Sequence, residues 1–503
     1  MRPLVCLCLT GSTIKEDLEI AEKYRSYIDV VELRVDYLEE NERLNIRNFP
    51  SLVKIPCILT IRRVIDGGKY DEGEGARTTL FARALSFVDR DSAKNFAYVD
   101  FEEDFNVQSL VDAAMAFGIT IIRSVHDMKN PITNIRERVA KLRKTGYEIP
   151  KIAFMPHSLK DVTDFCEEAA KLNNTNQILC AMGKFGLPTR ILAVKLNSFL
   201  TYTSPKELME NLASIGHIDP IKLCDLYRFR MLDKDTTLFG ITGDKIEGSF
   251  SPNLHNEKYL KNNMNAVYIP FHSTSSADSF RFARAMGLKG FSVTIPHKET
   301  IIDFLTEVDK KVVDIGACNT VVNMGNEWIG YNTDCTGFER ALLEFTELEN
   351  LKGKKVSIIG AGGAAKAVAY SVKRLGAKAC VFNRTTLKAR RLAELYGFEY
   401  GGLDSDDIPK LKKYSDIIIQ TTSVGMYSKD APDENNDPIW FYDFTGKEMV
   451  YDVVYEPEIT PIMARASIAG CKVHNGFTML KYQGEEQFQM FKEAYIKSLR
   501  DDM

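Results

Sequence analysis

The sequence predicts an α/β protein: an N-terminal (β/α)8 barrel followed by two smaller α/β lobes. Three observations predict it. Short apolar, β-branched runs alternate with helical patterns through roughly the first 220 residues, the repeat that a parallel barrel requires. A second alternating series starts at Leu238 and a third at Lys354. At 503 residues the chain is also longer than one hydrophobic core sustains, so about two to four domains are expected.

The barrel strands are read from LVCLCL (4–9), VVELRV (30–35), CILTI (57–61), FAYVDF (96–101), ITIIRS (119–124), KIAFM (151–155), ILCAM (178–182) and ILAVKL (191–196). Periodicity does not distinguish a closed barrel from a doubly wound open sheet. The stretch from Thr201 to Thr237 is polar, helix-prone and without a strong strand, which places a boundary near Arg228 and domains at 1–227 and 228–503. No long Gly/Ser or Pro-rich linker separates them, so they are expected to pack closely. The second series runs through LFGITG, AVYIPF and GFSVTIP to a pause near Gly330. The third runs through KKVSIIG, KACVFN, SDIIIQTT and MVYDVVY, and a helix is expected from Met479 to Leu499.

The formal net charge is -4, which offers no basic surface to nucleic acid or to an anionic membrane. Ten scattered cysteines with no C-x-x-C pair point to reduced, buried thiols, and no metal constellation is visible. The first residues enter a strand at once, without a charged leader, and no run approaches the ~18 apolar residues of a membrane helix. These features point to the cytoplasm.

One turn carries chemistry by itself. Gly360, Ala361, Gly362, Gly363 and Ala364 follow the strand VSIIG and open a helix through Lys373. Small residues let the backbone approach a pyrophosphate, and the helix N-terminus supplies donors and positive potential. The next strand ends in Asn383, Arg384 and Thr385, where a site for NAD would present a carboxylate to the ribose. Arg384, with Lys388 one turn later, suits a 2′-phosphate instead, so the cofactor read here is NADP(H).

The second half resembles the shikimate dehydrogenase family. Nine motifs occur in order from about Leu238 to Leu499: SFSPNLHN, GFSVTIPHKE, GACNTV, GYNTD, GAGGAA, NRT, TTSVGM, YDVVYEPEITP and GFTMLKYQ. The resemblance implies a substrate lobe of about 237–337 plus helix 479–499, and a Rossmann-type NADP lobe of about 338–475. It implies Lys298 and Asp334 as the catalytic pair, with Ser249, Ser251, Thr294, Asn319, Tyr455 and Gln483 around the substrate and Thr422, Met426 and Gly476 at the cofactor. A Lys–Asp pair beside a ketone can supply a proton as hydride arrives, and hydroxyls two residues apart can hold a carboxylate. Read alone, Lys298 would be a surface lysine and Asp334 a turn residue. Ser292 stands where many members have Asn, which weakens one expected hydroxyl contact.

The first half resembles type I 3-dehydroquinate dehydratase through ELRVD, LTIRR, SVHD, PKIAFMP and AMGKFGLPTR. The resemblance implies Lys151 as the Schiff-base residue and His126 as the proton carrier, with Glu32 orienting His126. Arg34, Arg62 and Arg190 become candidates for the substrate carboxylate and hydroxyls, and Met155 and Met182 line the substrate face or the core. An amine in an apolar interior keeps a neutral fraction able to attack a ketone, and the iminium then acidifies the neighbouring carbon. Read alone, Lys151 would be a rim lysine. Two departures stand out: Ser214 and His217 occupy the loop where members carry Ser and a Gly-Gln pair, and Asp66 stands where Glu is frequent.

Together the two resemblances imply one bifunctional shikimate-pathway enzyme. It would dehydrate 3-dehydroquinate to 3-dehydroshikimate and reduce that product to shikimate with NADPH. Its partners would be these small molecules, with neither nucleic acid nor membrane, and a monomer is admissible. The rival readings are a class I aldolase-type lyase or a non-catalytic module in the first half, and a quinate-preferring dehydrogenase in the second. ELRVD with three arginines favours a polyhydroxylated carboxylate over a sugar phosphate.

Overall fold

The computed structural model describes residues 2–85, 89, 91–173, 176–325, 327–428 and 430–501. Eight parallel strands follow one another in space: β1 (Leu4–Leu9), β2 (Val30–Arg34), β3 (Cys57–Thr60), β4 (Tyr98–Glu102), β5 (Thr120–Asp127), β6 (Ile149–Phe154), β7 (Ile178–Ala181) and β8 (Leu200–Thr203). β8 pairs with β1, and a parallel bridge between Gln177 and Ser198 joins the remaining seam, so the sheet closes and the open-sheet alternative is excluded.

Alternation along each strand explains why the barrel has a site at one end. Cys6, Val30, Ile58, Ile122, Ile149, Ile178 and Leu200 form an apolar interior cluster. Two residues further along the same strands stand Glu32, Thr60, Ser124 and Lys151, and β4 adds Asp100 and Glu102, all buried. The polar layer thus gathers at the C-terminal ends of the strands, the usual place for barrel chemistry.

The eighth apolar run is not a strand. Ile191 ends a short helix, Leu187–Ile191, with Pro188 in its first turn, and Leu192, Ala193 and Leu196 are buried in the turns that follow. β8 is instead LTYT, in the segment read as strandless; its threonines are satisfied locally, Thr201 Oγ1 donating to Arg190 O and Thr203 Oγ1 to Cys6 O.

The chain forms two compact units, Met1–Leu288 and Lys289–Met503. The first unit continues past the barrel with the parallel pair β9 (Thr237–Gly243) and β10 (Ala266–His272). This continuation packs on the barrel: Arg281 pairs with Asp164 and Glu167 of the helix Leu159–Ala169, and the His272 ring meets Phe185 edge-on, with centroids 4.8 Å apart.

In the second unit β11 (Gly290–Val293), β13 (Thr320–Asn323) and β14 (Trp328–Tyr331) pair antiparallel, and β12 (Glu307–Val308) adds parallel to β14. A separate all-parallel sheet has the order β17-β16-β15-β18-β19-β20, built from β15 (Lys355–Ile359), β16 (Lys378–Phe382), β17 (Glu399–Gly401), β18 (Ile417–Gln420), β19 (Met449–Asp452) and β20 (Lys472–His474). Counted from β15 this is 3-2-1-4-5-6, the doubly wound order whose reversal point opens a crevice for a dinucleotide. The helix Phe477–Asp501 ends the described chain. All ten cysteines are free and all but Cys224 are buried. Among the described residues no helix is long and apolar enough to cross a membrane.

Candidate functional sites

In the barrel, one cavity is lined by Glu32, Arg34, Arg62, His126, Lys151, Arg190 and His217, residues contributed by strands and loops far apart in sequence. Met182 lines it and Met155 packs beside it. Asp66 also faces it, held by Arg63 at 2.6 Å, and burial raises its pKa. Ser214 does not line the cavity: its neighbour Ile215 turns inward and Ser214 is exposed.

The surroundings of Lys151 are ionic rather than apolar, contrary to expectation. Its Nζ donates to Asp100 Oδ2 at 2.9 Å, lies 3.8 Å from Glu32 Oε1 and stands 4.4 Å above the Tyr202 ring. Asp100 is the hub: Arg62 Nη2 lies 2.7 Å away and Ser124 Oγ donates to its second oxygen at 2.5 Å. Burial acts to raise the Asp100 pKa, but Arg62 and Lys151, with His126, outweigh it and hold the carboxyl below its ordinary range. Neither Asp100 nor Tyr202 was anticipated. The alternation of two acids in YVDFE, both needing partners if they face a barrel interior, was the signal that could have found Asp100.

Glu32 does not orient His126. It accepts from Thr60 Oγ1 at 2.9 Å and from Cys8 Sγ at 3.1 Å, and it faces Lys151. His126 is kept neutral by burial first, then by the charges of Arg62 and Lys151, and its Nδ1 has no hydrogen-bond partner among the described residues. A neutral imidazole with a free nitrogen is a base ready to act.

The three arginines differ. Arg34 is bound through Nε and Nη2 to Asp36, and Arg62 is paired with Asp100 and Glu102. Arg190 is fully buried, donates only to Ile215 O at 2.8 Å, and leaves Nε and Nη1 unsatisfied among the described residues. An unpaired buried guanidinium is costly, and a ligand carboxylate is the group that would satisfy it. His217 shares a 2.7 Å hydrogen bond with Ser204 Oγ; burial, then Arg190 and Arg34, keep its ring neutral.

In the second unit Lys298 Nζ donates to Asp334 Oδ2 at 2.5 Å. Asp334 is the first residue of the helix Asp334–Thr346, where the helix end favours a carboxylate. Its other oxygen accepts from Asn319 Nδ2 at 2.8 Å, and Asn319 also reaches Thr333 Oγ1 and Gln483 Oε1, at 2.9 and 3.3 Å. Four of the expected residues therefore form one network. Thr294 is half-buried in the turn after β11. Ser292 is engaged internally, donating to Gln487 Oε1 at 2.8 Å; Gln487, also bonded to Thr320, had not been anticipated. In the first unit Ser251 opens a helix, and its N–H donates to Ser249 Oγ at 3.3 Å.

The glycine turn lies against this network. A Cβ at Gly363 would stand 3.2 Å from Lys298 Cβ and Cδ, so the turn and the Lys298 stem are in contact. Gly360 has φ +117° and a Cβ there would meet Thr421 Oγ1 at 2.5 Å. Gly362, which caps the helix Gly363–Arg374, has open space where a Cβ would be. At the end of β16, Asn383 turns back to Thr385 O at 3.0 Å, while Arg384 and Lys388 are exposed with no carboxylate within 4.0 Å among the described residues. Thr422 Oγ1 accepts from Val424 N at 3.1 Å; Met426 and Tyr455 are half-buried. At Gly476 a Cβ would stand 2.0 Å from Val453 O, so only glycine fits.

Three family models match: type I 3-dehydroquinase over residues 5–234, the shikimate dehydrogenase substrate binding domain over 241–321, and shikimate / quinate 5-dehydrogenase over 343–428. The chain is similar to the chloroplastic bifunctional 3-dehydroquinate dehydratase/shikimate dehydrogenase of Arabidopsis thaliana, at 29% identity over 97% of this chain and 82% of that protein. It is 36% identical to the shikimate dehydrogenase (NADP(+)) of Pyrococcus abyssi, over 51% of this chain and 93% of that one. The solved structure of the dehydroquinate dehydratase and shikimate dehydrogenase from S. pombe aligns over 99% of this chain and 98% of its own, at 23% identity and a TM-score of 0.41.

Proposed function

The chain belongs to the shikimate dehydrogenase family, with a type I 3-dehydroquinase domain fused ahead of it, and from that premise we propose how its own residues perform the two steps. The first is dehydration of 3-dehydroquinate through a Lys151 imine; the second is reduction of 3-dehydroshikimate to shikimate with NADPH. The observation that carries this reading is that each half gathers a complete set. Lys151, neutral His126 and unpaired Arg190 share one cavity. Lys298, paired with Asp334, touches the nucleotide turn. We place the functional boundary near Arg228, and the cytoplasm as the compartment.

In the barrel, Arg190 takes the substrate carboxylate, which brings the ring ketone to Lys151. Lys151 Nζ passes a proton to neutral His126, the freed amine attacks the carbonyl carbon, and protons from the nitrogen and from His126 reach the carbinol oxygen so that it leaves as water, forming an iminium. His126 removes the proton from the adjacent carbon as electrons flow to the iminium nitrogen, then returns a proton to the departing hydroxyl. Hydrolysis of the imine releases the enone. Asp100, with Glu32 nearby, keeps the Lys151 nitrogen in place and balances the positive charge that persists while the imine exists.

His126 works only when neutral. Burial, Arg62 and Lys151 lower its pKa from the ordinary 6.5, so it stays neutral to more acid pH than a free histidine. The acid limb of dehydratase kcat/KM due to this group is therefore expected below pH 6.5. A pH–rate profile checks it; a limb at or above that value would exclude His126 as the base.

The nucleotide residues fit NADP(H): Gly362 leaves open space at a helix N-terminus, and Arg384 and Lys388 offer exposed cations, unpaired among the described residues, at the end of β16. When bound, the cofactor supplies the hydride. Lys298, oriented by Asp334, delivers a proton to the carbonyl oxygen, and Asn319 and Gln483 hold ring hydroxyls. Arg384→Ala is expected to weaken NADPH use by roughly ten- to hundredfold, the worth of a hydrogen bond to a charged group, with little change for NADH. Kinetics with both cofactors test this; an unchanged preference removes Arg384 from the role.

The whole reading is tested by giving the protein 3-dehydroquinate and NADPH, following enone absorbance and NADPH loss, and trapping with borohydride. Shikimate together with a reduced adduct on Lys151 is the expected result. Absence of both enone and adduct overturns the first step, and enone without NADPH loss overturns the second.

A further inference from the structure

A second cavity, of about 350 Å³, lies within the first compact unit beside the barrel mouth. Barrel residues 183–187 and 209–227 form one side of it, and Ile246, Ser249, Asn253 and His272 the other. His217 belongs to both cavities: it lines the Lys151 site and this one. Around it the partition is thin, Ile215 facing the Lys151 site while Gly216 and Ile218 face the second cavity.

The backbone of this partition is fixed. Gly216 has φ +68°, and a Cβ there would stand 2.5 Å from Gly183 O, while Gly183 N donates to Ile215 O at 2.9 Å. Among the described residues the His217 ring is held more lightly, by one hydrogen bond to Ser204 and a loose stack on Tyr202 with centroids 6.4 Å apart. Moving the ring costs one neutral hydrogen bond, about 1 kcal/mol, whereas moving the backbone would break the glycine contact.

The walls of the second cavity suit a small hydroxylated carboxylate. The Lys222 ammonium is exposed and has no carboxylate within 4.0 Å among the described residues. Among the described residues the one carboxylate Lys184 reaches is Asp244, at 3.9 Å. The acids on the walls are engaged: Asp219 accepts from Tyr24 Oη and from the N–H groups of Ile221 and Lys222, and Glu247 lies 3.7 Å from His272 Nδ1. Leu187, Met209 and Leu226 supply apolar surface for a ring face, and Ser249 is a hydroxyl on the far wall.

We propose that this cavity is a transfer site: the enone carboxylate made in the barrel passes the His217 ring, rests with its carboxylate on Lys222 and Lys184, and moves on toward Ser249. The proposal rests on the two-step reading above and adds a resting place for the product of the first step once it has left the barrel. It is tested with the intact two-unit chain by the lag before steady shikimate production from 3-dehydroquinate. An equimolar mixture of Lys151→Ala and Lys298→Ala chains gives the lag for free diffusion. The intact chain is expected to show a lag about tenfold shorter, because a confined intermediate reaches a millimolar effective concentration. Leu187→Trp, which fills the cavity, and Lys222→Glu, a change at the surface, are each expected to keep both half-reactions and to lengthen the lag to that of the mixture. Equal lags for the intact chain and the mixture overturn the proposal, as does a short lag that survives both substitutions. Failure of the two-step reading is read separately, in the half-reactions of the intact chain.

Discussion

Lys151→Ala is expected to reduce dehydration of 3-dehydroquinate by about 10⁵-fold or more, the scale on which enzymes lose rate when a covalent nucleophile is removed. Without the imine there is no electron sink, and the proton that His126 must take stays next to a neutral ketone, which stabilises the resulting carbanion far less. The fold should survive, because Asp100 keeps Arg62 at 2.7 Å and Ser124 at 2.5 Å when the ammonium is gone. Reduction of added 3-dehydroshikimate should continue unchanged, since Lys298, Asp334 and the glycine turn all lie in the other compact unit. Enone formation, NADPH oxidation and borohydride adduct on the same preparation make the measurement. Substantial dehydration by the variant would move the imine away from Lys151.

That expectation rests on residues legible in the sequence at different levels. Seven of the barrel strands are visible because their apolar, β-branched runs contrast with the helices between them. β8 is not, because Thr201 and Thr203 satisfy their hydroxyls on neighbouring carbonyls and so lack the apolar mark of a strand. Closure is invisible too, since the bridge from Gln177 to Ser198 is a tertiary fact. The glycine turn is legible because sterics allow little else there: Gly360 needs a positive φ and Gly476 has a carbonyl 2.0 Å from where a Cβ would stand. Pairings are the least legible. Glu32 was expected at His126 and is found with Thr60, Cys8 and Lys151; Ser292 bonds a glutamine 195 residues away. Residue types announce what chemistry a chain can do, but which acid meets which base is decided by strand register and loop path.

The second half yields the other large effect. Lys298→Ala is expected to lower kcat for 3-dehydroshikimate reduction by about 10²- to 10⁴-fold, the range for loss of a positioned general acid. Lys298 Nζ is held 2.5 Å from Asp334, and that carboxylate is fixed from its other side by Asn319 at 2.8 Å and by its place at a helix N-terminus. A lysine so constrained, with its stem against Gly363, has little freedom to serve any purpose other than the reacting group beside the nucleotide turn. The rival explanation is that the pair only braces the turn. The two differ in how the loss divides: a proton donor that acts as the hydride moves affects kcat while leaving NADPH affinity near its original value, whereas a brace would weaken NADPH binding and lower thermal stability. Lys298→Arg sharpens the comparison, because it preserves a cation near Asp334 but has a much weaker ability to give up a proton. Steady-state kinetics, NADPH titration and a melting curve on both variants decide it. Low kcat with intact binding and melting in each is the expected pattern, and full turnover in Lys298→Arg would reduce Lys298 to an electrostatic support.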